Sequence, residues 1–188
     1  MNVYNIGDVT SLLHAIHFAA IQHKDQKRKG KYPVPYINHP LEVVNILVTA
    51  GVTDLHTMIA AILHDTVEDT NTTLDALRAE FGIEVSNIVA EVTDDKNLLK
   101  AERKQLQIVH APELSDGAKL IKIADKISNI EDIVNNPPKS WSLQRKLDYL
   151  DWAQKVVAGC RGINHTLEAK FDATVQYAST SLTAKVKK

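Results

Sequence analysis

Cysteine is almost absent from this sequence, because Cys160 is the only one. A single cysteine can form no internal disulfide, and it excludes a structural zinc cluster built on thiolates. No apolar run approaches the ~20 residues that a membrane-spanning helix needs. The first residues, Met1-Asn2-Val3-Tyr4-Asn5, lack the basic and apolar regions of a signal peptide. We therefore expect a cytoplasmic protein in a reducing compartment, with no membrane partner.

An excess of charge of either sign is also missing. The chain carries 22 Lys and Arg against 23 Asp and Glu, a formal net charge of −1. General nucleic-acid binding needs a clear basic excess that neutralises phosphates, so we expect no nucleic-acid partner. Hydrophobic residues make up 44% and charged residues 24% of the sequence, which is typical of a globular protein with one buried core.

Strand-like alternation is missing as well, whereas apolar residues recur at three- and four-residue steps through most of the chain. We therefore predict an all-α fold, a bundle of about eight to ten helices. Residues 1–170 are predicted to form one domain, with helix to about residue 170. Residues 171–188 are predicted to be a C-terminal extension that is partly disordered, since residues 179–188 are polar and basic. The helices are expected near residues 9–23, 40–50, 54–64, 74–81, 84–93, 98–110, 115–134 and 143–158.

The most informative segment is His64-Asp65-Thr66-Val67-Glu68-Asp69-Thr70, which follows an apolar run. Imidazole and carboxylate groups are ligands for divalent metal ions. Helical spacing would place His64 under Glu68, and Asp65 under Asp69. A histidine at the end of a buried helix can equally be a hydrogen-bonded core residue. The segment therefore indicates a metal site only together with matching residues elsewhere in the chain.

Two such residues lie in separate segments. His39 precedes Pro40, which suits the first turn of a helix and would hold the imidazole in a fixed direction, although a helix cap alone is the alternative. Asp125 lies on a predicted helix that is apolar over most of its circumference. A buried carboxylate there needs a cation or hydrogen-bond donors, and a solvated helix face is the alternative. The mixed nitrogen and oxygen donors suit manganese, magnesium, iron or zinc. The candidate metal ligands are His39, His64, Asp65 and Asp125.

Acid–base groups and cations accompany these candidate ligands. Glu68 and Asp69 could orient or deprotonate a water at the metal, unless they only begin a polar loop. The loop over residues 24–31 contains the densest run of cations. Arg28 and Lys29 in this loop could clamp phosphates, although charge runs are commonly solvated. This combination indicates hydrolysis of a phosphate ester or a pyrophosphate.

In their order along the chain, the candidate ligands resemble the H…HD…D signature of the HD-domain metal-dependent phosphohydrolases. Further segments resemble the hydrolase domain of RelA/SpoT-type proteins, and the similarity extends over roughly residues 5–167. At 188 residues the chain is similar to the free-standing small alarmone hydrolases of metazoan type. The segments that carry the second resemblance are residues 26–29, 35–40, 64–70, 103–105 and 119–126.

This resemblance implies an HD-domain helical bundle with a metal site in its core and one Mn²⁺ per chain. It implies hydrolysis of guanosine 3′,5′-bis(diphosphate), ppGpp, and of pppGpp to GDP or GTP and pyrophosphate. The four candidate ligands would bind the metal, and Glu68 and Asp69 would position and activate the attacking water. A guanine nucleotide would be the small-molecule partner, and a homodimer is left open. The implied substrate-binding residues are Arg28 and Lys29 at the guanine and phosphates, Asn129 at the ribose or phosphate region, and Arg145 and Tyr149 near the nucleotide.

Two other interpretations stay open. The same metal site would serve another nucleotide phosphohydrolase, for example a phosphatase acting on NADPH, in which only the pocket rim would differ. The chain could also be a non-enzymatic helical interaction protein with a degenerate site. The intact set of candidate ligands and acid–base carboxylates disfavours that interpretation. Metal content and a panel of substrates distinguish the three interpretations.

Overall fold

The computed structural model describes residues 6–184, and within that range the chain folds into ten α-helices and one 3₁₀ helix, without a β-strand. An isolated bridge pairs Lys27 with Pro35 in the loop between the first two helices. The predicted all-α class and number of helices are confirmed. The α-helices are α1 (Ile6–Gln22), α2 (Asn38–Thr49), α3 (Leu55–Leu63), α4 (Thr66–Asp69), α5 (Leu74–Phe81), α6 (Ile83–Val92), α7 (Lys100–His110), α8 (Asp116–Asn135), α9 (Leu143–Ala158) and α10 (His165–Ala184), and the 3₁₀ helix is Ala111–Glu113.

Helix α8 runs through the centre of the bundle and packs against α2, α3, α6, α9 and α10. It begins at Ser115, whose hydroxyl accepts a hydrogen bond from the backbone N–H of Ala118. Apolar side chains cover most of its circumference, and Lys122 and Lys126 are buried with them. The Asp125 side chain is only 15% exposed, so its carboxylate lies mostly inside the bundle.

Helix α3 carries the second half of the candidate site. Asp54 caps its first turn by accepting from the backbone N–H of Thr57 at 2.7 Å. The helix is almost wholly apolar, and it ends at His64, which is 5% exposed. A short, buried helix therefore places the imidazole in the interior of the protein.

The first turn of α2 differs from the sequence-based expectation. The helix begins at Asn38, its N-cap is Ile37 in a helical conformation, and none of the described side chains caps it. His39 is therefore a buried residue within the helix, and the alternative in which it serves as a cap is wrong. Its side chain is free to take part in tertiary contacts.

The C-terminal helix is longer than predicted. Helix α10 continues past the expected end near residue 170 and packs along α8. Ala178 and Leu182 lie four residues apart on one face and are buried, so the prediction that residues 179–184 are frayed is wrong. The rest of that prediction, residues 185–188, lies outside the described residues. The division into a domain of residues 1–170 and an extension stays a prediction. None of the helices in the described range is long and apolar enough to cross a bilayer.

Gly159 marks a close approach between the end of α9 and the 3₁₀ helix. Its φ of −77° suits any residue, so only the available space decides what fits there. A methyl group at Gly159 would lie 2.7 Å from the Cβ of Ala111 and 2.9 Å from the Cδ of Pro112, which have no rotatable side-chain bond to relieve the clash. We expect Gly159→Ala to lower the free energy of unfolding by about 1–3 kcal/mol, as overpacking does. Urea unfolding measures this change, and an unaltered midpoint would contradict the rigidity of this contact.

Candidate metal centre and substrate cleft

Two buried imidazoles meet where α2 begins and α3 ends. The ring centroids of His39 and His64 are 5.3 Å apart. The Nδ1 of His39 lies 3.0 Å from the Ser128 hydroxyl, and the Nδ1 of His64 lies 2.8 Å from the Ala61 carbonyl oxygen. Because a carbonyl oxygen only accepts, the Nδ1 of His64 carries a proton. Its Nε2 can therefore offer a lone pair to a metal ion.

Two carboxylates complete this group of side chains. The Oδ1 of Asp125 lies 3.2 Å from the Nε2 of His39. The Oδ2 of Asp65 lies 3.2 Å from the Nε2 of His64 and 3.6 Å from that of His39. Donor atoms bound to one divalent ion at ordinary bond lengths lie roughly 3.0–3.4 Å apart. The ligand atoms of His39, His64 and Asp125 all lie within 4.8 Å of one another and could hold a metal ion.

The electrostatics of the cluster favour a cation between these groups. Among the described residues, the Nε2 of His64 is buried without a hydrogen-bond partner, although it faces the carboxylate of Asp65. Burial disfavours the charged form of His64, but Asp65 and Asp125 outweigh that effect and raise its pKa to about 9. The negative charge of Asp65 and Asp125 thus attracts a proton to His64, and a divalent ion would neutralise this charge more completely. The donor set fits a divalent metal on these grounds.

Neighbouring side chains hold both carboxylates in place. The Tyr36 hydroxyl donates to the Oδ2 of Asp65 at 2.5 Å. The Oδ1 of Asp125 accepts from the Asn129 amide at 2.5 Å, and its Oδ2 accepts from the Lys126 ammonium at 2.7 Å. Burial and the adjacent Asp65 raise the pKa of Tyr36 far above its ordinary value, so the phenol remains a donor. Hydrogen bonds of this kind fix the orientation of groups that can bind a metal.

The two candidate acid–base residues make different contacts, although both line one further cavity. Glu68 lines the same cleft as the metal candidates, and its Oε2 accepts from the backbone N–H of Asp94 at 3.3 Å. Burial and the Asp94 carboxylate raise the pKa of Glu68. Asp69 lines a neighbouring cavity instead. Its two oxygens accept from the Lys96 ammonium at 2.6 Å and the Gln26 amide at 2.9 Å.

A cleft of about 520 Å³ opens beside the cluster. Its walls come from the loop between α1 and α2 and from α7, α8 and α9, which bring distant segments together. All five predicted substrate-binding residues line it. A wall of cations and aromatic rings suits a phosphorylated ligand that carries a flat base. The cations are Arg28, Lys29, Lys100, Arg103, Lys104, Lys126 and Arg145, and the aromatic rings are those of Tyr36, Trp141, Tyr149 and Trp152.

The Arg28 guanidinium connects the cationic loop to the metal candidates. It donates to Asp132 at 2.9 Å and to the Asn129 side-chain oxygen at 3.0 Å. The Asn129 amide in turn donates to Asp125, so one chain of hydrogen bonds joins the loop to the cluster. With only 12% of its side chain exposed, Arg28 is more firmly fixed inside the protein than a solvated charge run would be.

Several residues of the cleft were missed by the sequence analysis. Lys126 directly follows Asp125, but no role of its own was predicted for it. Trp152 lies three residues after Tyr149 on α9, and that helical spacing could have indicated it. The Cζ of Arg145 lies 4.4 Å from the centroid of the Trp141 ring. The contact between α7 and α9 that brings Lys104 to Trp152 spans 48 residues, and no local pattern indicates it.

The chain matches a known family model and is similar to proteins of known name. A family model described as HD domain matches residues 15–150. Guanosine-3′,5′-bis(diphosphate) 3′-pyrophosphohydrolase MESH1 of Xenopus tropicalis is 52% identical over 167 residues, which cover 88% of this chain and 93% of the relative. The human protein of the same name is 50% identical over 163 residues, with coverage of 86% and 91%.

Solved structures give the same relationship. The structure of a metazoan ortholog of SpoT, described as hydrolysing ppGpp and acting in starvation responses, matches with a TM-score of 0.86 and 43% identity. The match covers 89% of this chain and 94% of that chain. A structure from Listeria monocytogenes matches with a TM-score of 0.64 and 29% identity, and covers 77% of this chain and 97% of that one.

Proposed function

Because this chain belongs to the HD-domain family, and within it to the guanosine-3′,5′-bis(diphosphate) 3′-pyrophosphohydrolases, we propose that it hydrolyses ppGpp and pppGpp. The reaction removes the 3′-pyrophosphate and yields GDP or GTP. One observation carries the proposal beyond the family relationship. Two imidazoles and two carboxylates lie close together, and His39, Asp65 and Asp125 of this group line a cleft whose walls are rich in cations and aromatic rings.

The HD domain implies a divalent metal, and we propose one Mn²⁺ per chain. His39, His64, Asp65 and Asp125 would hold it, which is supported by the spacing of their donor atoms and by the unpartnered Nε2 of His64. Nitrogen and carboxylate donors together suit manganese. When bound, the ion would supply Lewis acidity that makes water a better nucleophile and offsets charge on the phosphate that is attacked.

We propose that Glu68 takes the proton of the attacking water. Its carboxylate lines the cleft, and burial raises its pKa towards the range in which a general base works well. Asp69 is proposed to position the water and its surroundings. Since Lys96 and Gln26 already occupy both of its oxygens, its contribution is one of orientation.

The nucleotide is proposed to lie along the cleft walls. Arg28 and Lys29 would contact the guanine and the phosphates, and Asn129 the ribose or phosphate region. Arg145 and Tyr149 face the same space from α9 and would hold the rest of the nucleotide. The Arg28 guanidinium is fixed by Asp132, so it presents a preorganised surface rather than a mobile charge.

The composition of the chain supports proposals about its partners and its location in the cell. A net charge of −1 supports a small-molecule partner rather than nucleic acid. We propose a cytoplasmic location, supported by the single buried cysteine, and no membrane partner. A homodimer stays a prediction.

A substrate panel tests the proposed reaction. With Mn²⁺ present, we expect kcat/KM for ppGpp to exceed that for NADPH by about tenfold or more, because ppGpp offers two terminal pyrophosphate groups to the cations of the cleft, whereas NADPH offers one terminal phosphate. Pyrophosphate and GDP should appear in equal amounts as ppGpp is consumed. A higher kcat/KM for NADPH would favour the phosphatase interpretation instead. A protein that neither binds Mn²⁺ nor turns over any member of the panel would favour the interaction protein.

A further inference from the structure

The ammonium group of Lys126 is a buried cation that is only partly used inside the protein. Its side chain is 4% exposed and forms one ion pair, with the Oδ2 of Asp125 at 2.7 Å. An ammonium has three N–H donors, and no other acceptor reaches this one among the described residues. Lys126 lines the cleft beside the metal candidates. Its remaining donors are thus available to a ligand bound there.

A second ammonium lies close by. The Nζ of Lys104 forms no hydrogen bond or ion pair within the described range. It lies 4.4 Å from the centroid of the Trp152 ring and 5.7 Å from that of Tyr149. The Nζ of Lys126 lies 4.6 Å from the same Trp152 centroid. Two ammonium groups therefore contact one indole ring, beside the candidate metal ligands.

The contacts of Trp152 fix this arrangement. Its indole N–H donates to the backbone carbonyl of Lys104 at 3.0 Å, which ties α9 to α7. The face of an indole ring attracts cations. Two like charges beside one ring still repel each other, and Asp125 neutralises only one of them. An anion in the cleft would complete the charge balance of the pair.

We propose that Lys126 and Lys104 form a subsite for the oxygens of the pyrophosphate group that is released, and that Trp152 is the positioning residue that orients both ammonium groups. The proposal rests on the proposed function and extends it to residues for which no substrate contact has been proposed so far. Lys126 forms an ion pair with Asp125, which is also a candidate metal ligand. The subsite therefore borders the place where the reacting phosphate would lie. The guanine is proposed to lie further along the cleft, against Arg28 and Lys29.

Equilibrium binding of inorganic pyrophosphate to the Mn²⁺-loaded full chain, measured by calorimetry, tests the subsite. We expect Lys104→Met to weaken pyrophosphate binding by about tenfold or more, the usual effect of losing a charged hydrogen bond. Methionine keeps the apolar stem and the backbone carbonyl that Trp152 uses. Lys155→Met is the matched control, because Lys155 is exposed on α9 and its one ion pair among the described residues is with Asp151. The pyrophosphate affinity of this variant should stay within about twofold.

Substitutions of Trp152 distinguish its proposed positioning role from a general effect on folding. Trp152→Leu should weaken pyrophosphate binding about as much as Lys104→Met, whereas Trp152→Phe, which keeps an aromatic face, should retain most of it. In the Trp152→Leu background, Lys104→Met should have little further effect, because the two residues act as one unit. Lys126→Met should also weaken binding, with Mn²⁺ content measured in parallel since Asp125 loses its partner.

Pyrophosphate affinities of Lys104→Met and Lys126→Met within about twofold of the unsubstituted chain would overturn the subsite. Equal losses in Lys104→Met and Lys155→Met would also overturn it, because the effect would then be one of net charge. Additive losses for Trp152 and Lys104 would reject the positioning role. A chain that fails to hydrolyse ppGpp but shows the expected pyrophosphate affinities would disprove the proposed substrate and leave the subsite standing.

Discussion

His64→Ala is expected to abolish ppGpp turnover and to remove the response of the protein to Mn²⁺. The substitution deletes the imidazole whose Nε2 is buried without a hydrogen-bond partner in the described residues. Changes to groups that merely support a metal ligand cost about 10–100-fold in metal affinity, so loss of a ligand should cost at least that much. Metal analysis after dialysis should give about one Mn²⁺ per unsubstituted chain and almost none for the variant.

Thermal unfolding gives an independent measure of the same change. A ligand present at about 100 times its dissociation constant stabilises the folded state by about 2.7 kcal/mol. In a protein of this size that corresponds to a rise in Tm of about 5–10 °C, which we expect for the unsubstituted chain and not for His64→Ala. Helical content by circular dichroism should be nearly unchanged, because the apolar residues of α3 remain buried.

His56→Ala is the matched control, since His56 lies on the same helix but is exposed. It removes an identical side chain without approaching the cluster, so turnover, Mn²⁺ content and the rise in Tm should all be retained. Full activity with bound metal in His64→Ala would contradict the proposed ligand set. So would equal losses in the two variants, because these would point to a general effect on α3.

The helices could be predicted from the sequence because their signals are local. The three- and four-residue spacing of apolar residues and the Asp54 cap are visible without any tertiary structure. The end of α10 was predicted wrongly for a related reason. Its last two turns are rich in Ser and Thr, and the buried residues there are Ala178 and Leu182, which pack into the bundle. A prediction from local sequence makes a helix too short where tertiary contacts stabilise its last turns.

The candidate site could be predicted only in part. His64 and Asp65 are adjacent, and the structure brings His39 and Asp125 to them as expected. What each residue contacts otherwise depends on segments far apart in sequence. Asp69 is 27 residues from the lysine that it pairs with, and its position in a neighbouring cavity could not be foreseen. Its catalytic role stays a prediction.

Glu68→Gln is expected to lower kcat for ppGpp hydrolysis by about 10²–10⁴-fold, the usual contribution of a general base. The substitution is nearly isosteric. The Gln side-chain oxygen can still accept from the backbone N–H of Asp94, so the fold around α4 should be retained. What disappears is the carboxylate that takes a proton. KM and Mn²⁺ content should change little, because Glu68 is not among the proposed ligands.

Two further variants define what this loss means. Glu102→Gln removes an exposed carboxylate on α7 and should leave kcat unchanged. Asp69→Asn should lower kcat less than Glu68→Gln, because the Asp69 oxygens are already occupied by Lys96 and Gln26 and act through orientation. Steady-state kinetics with saturating Mn²⁺ measures all three. If Asp69→Asn proved the more damaging, the proton would pass to Asp69, and the cavity that it shares with Gln26 would have to admit the attacking water.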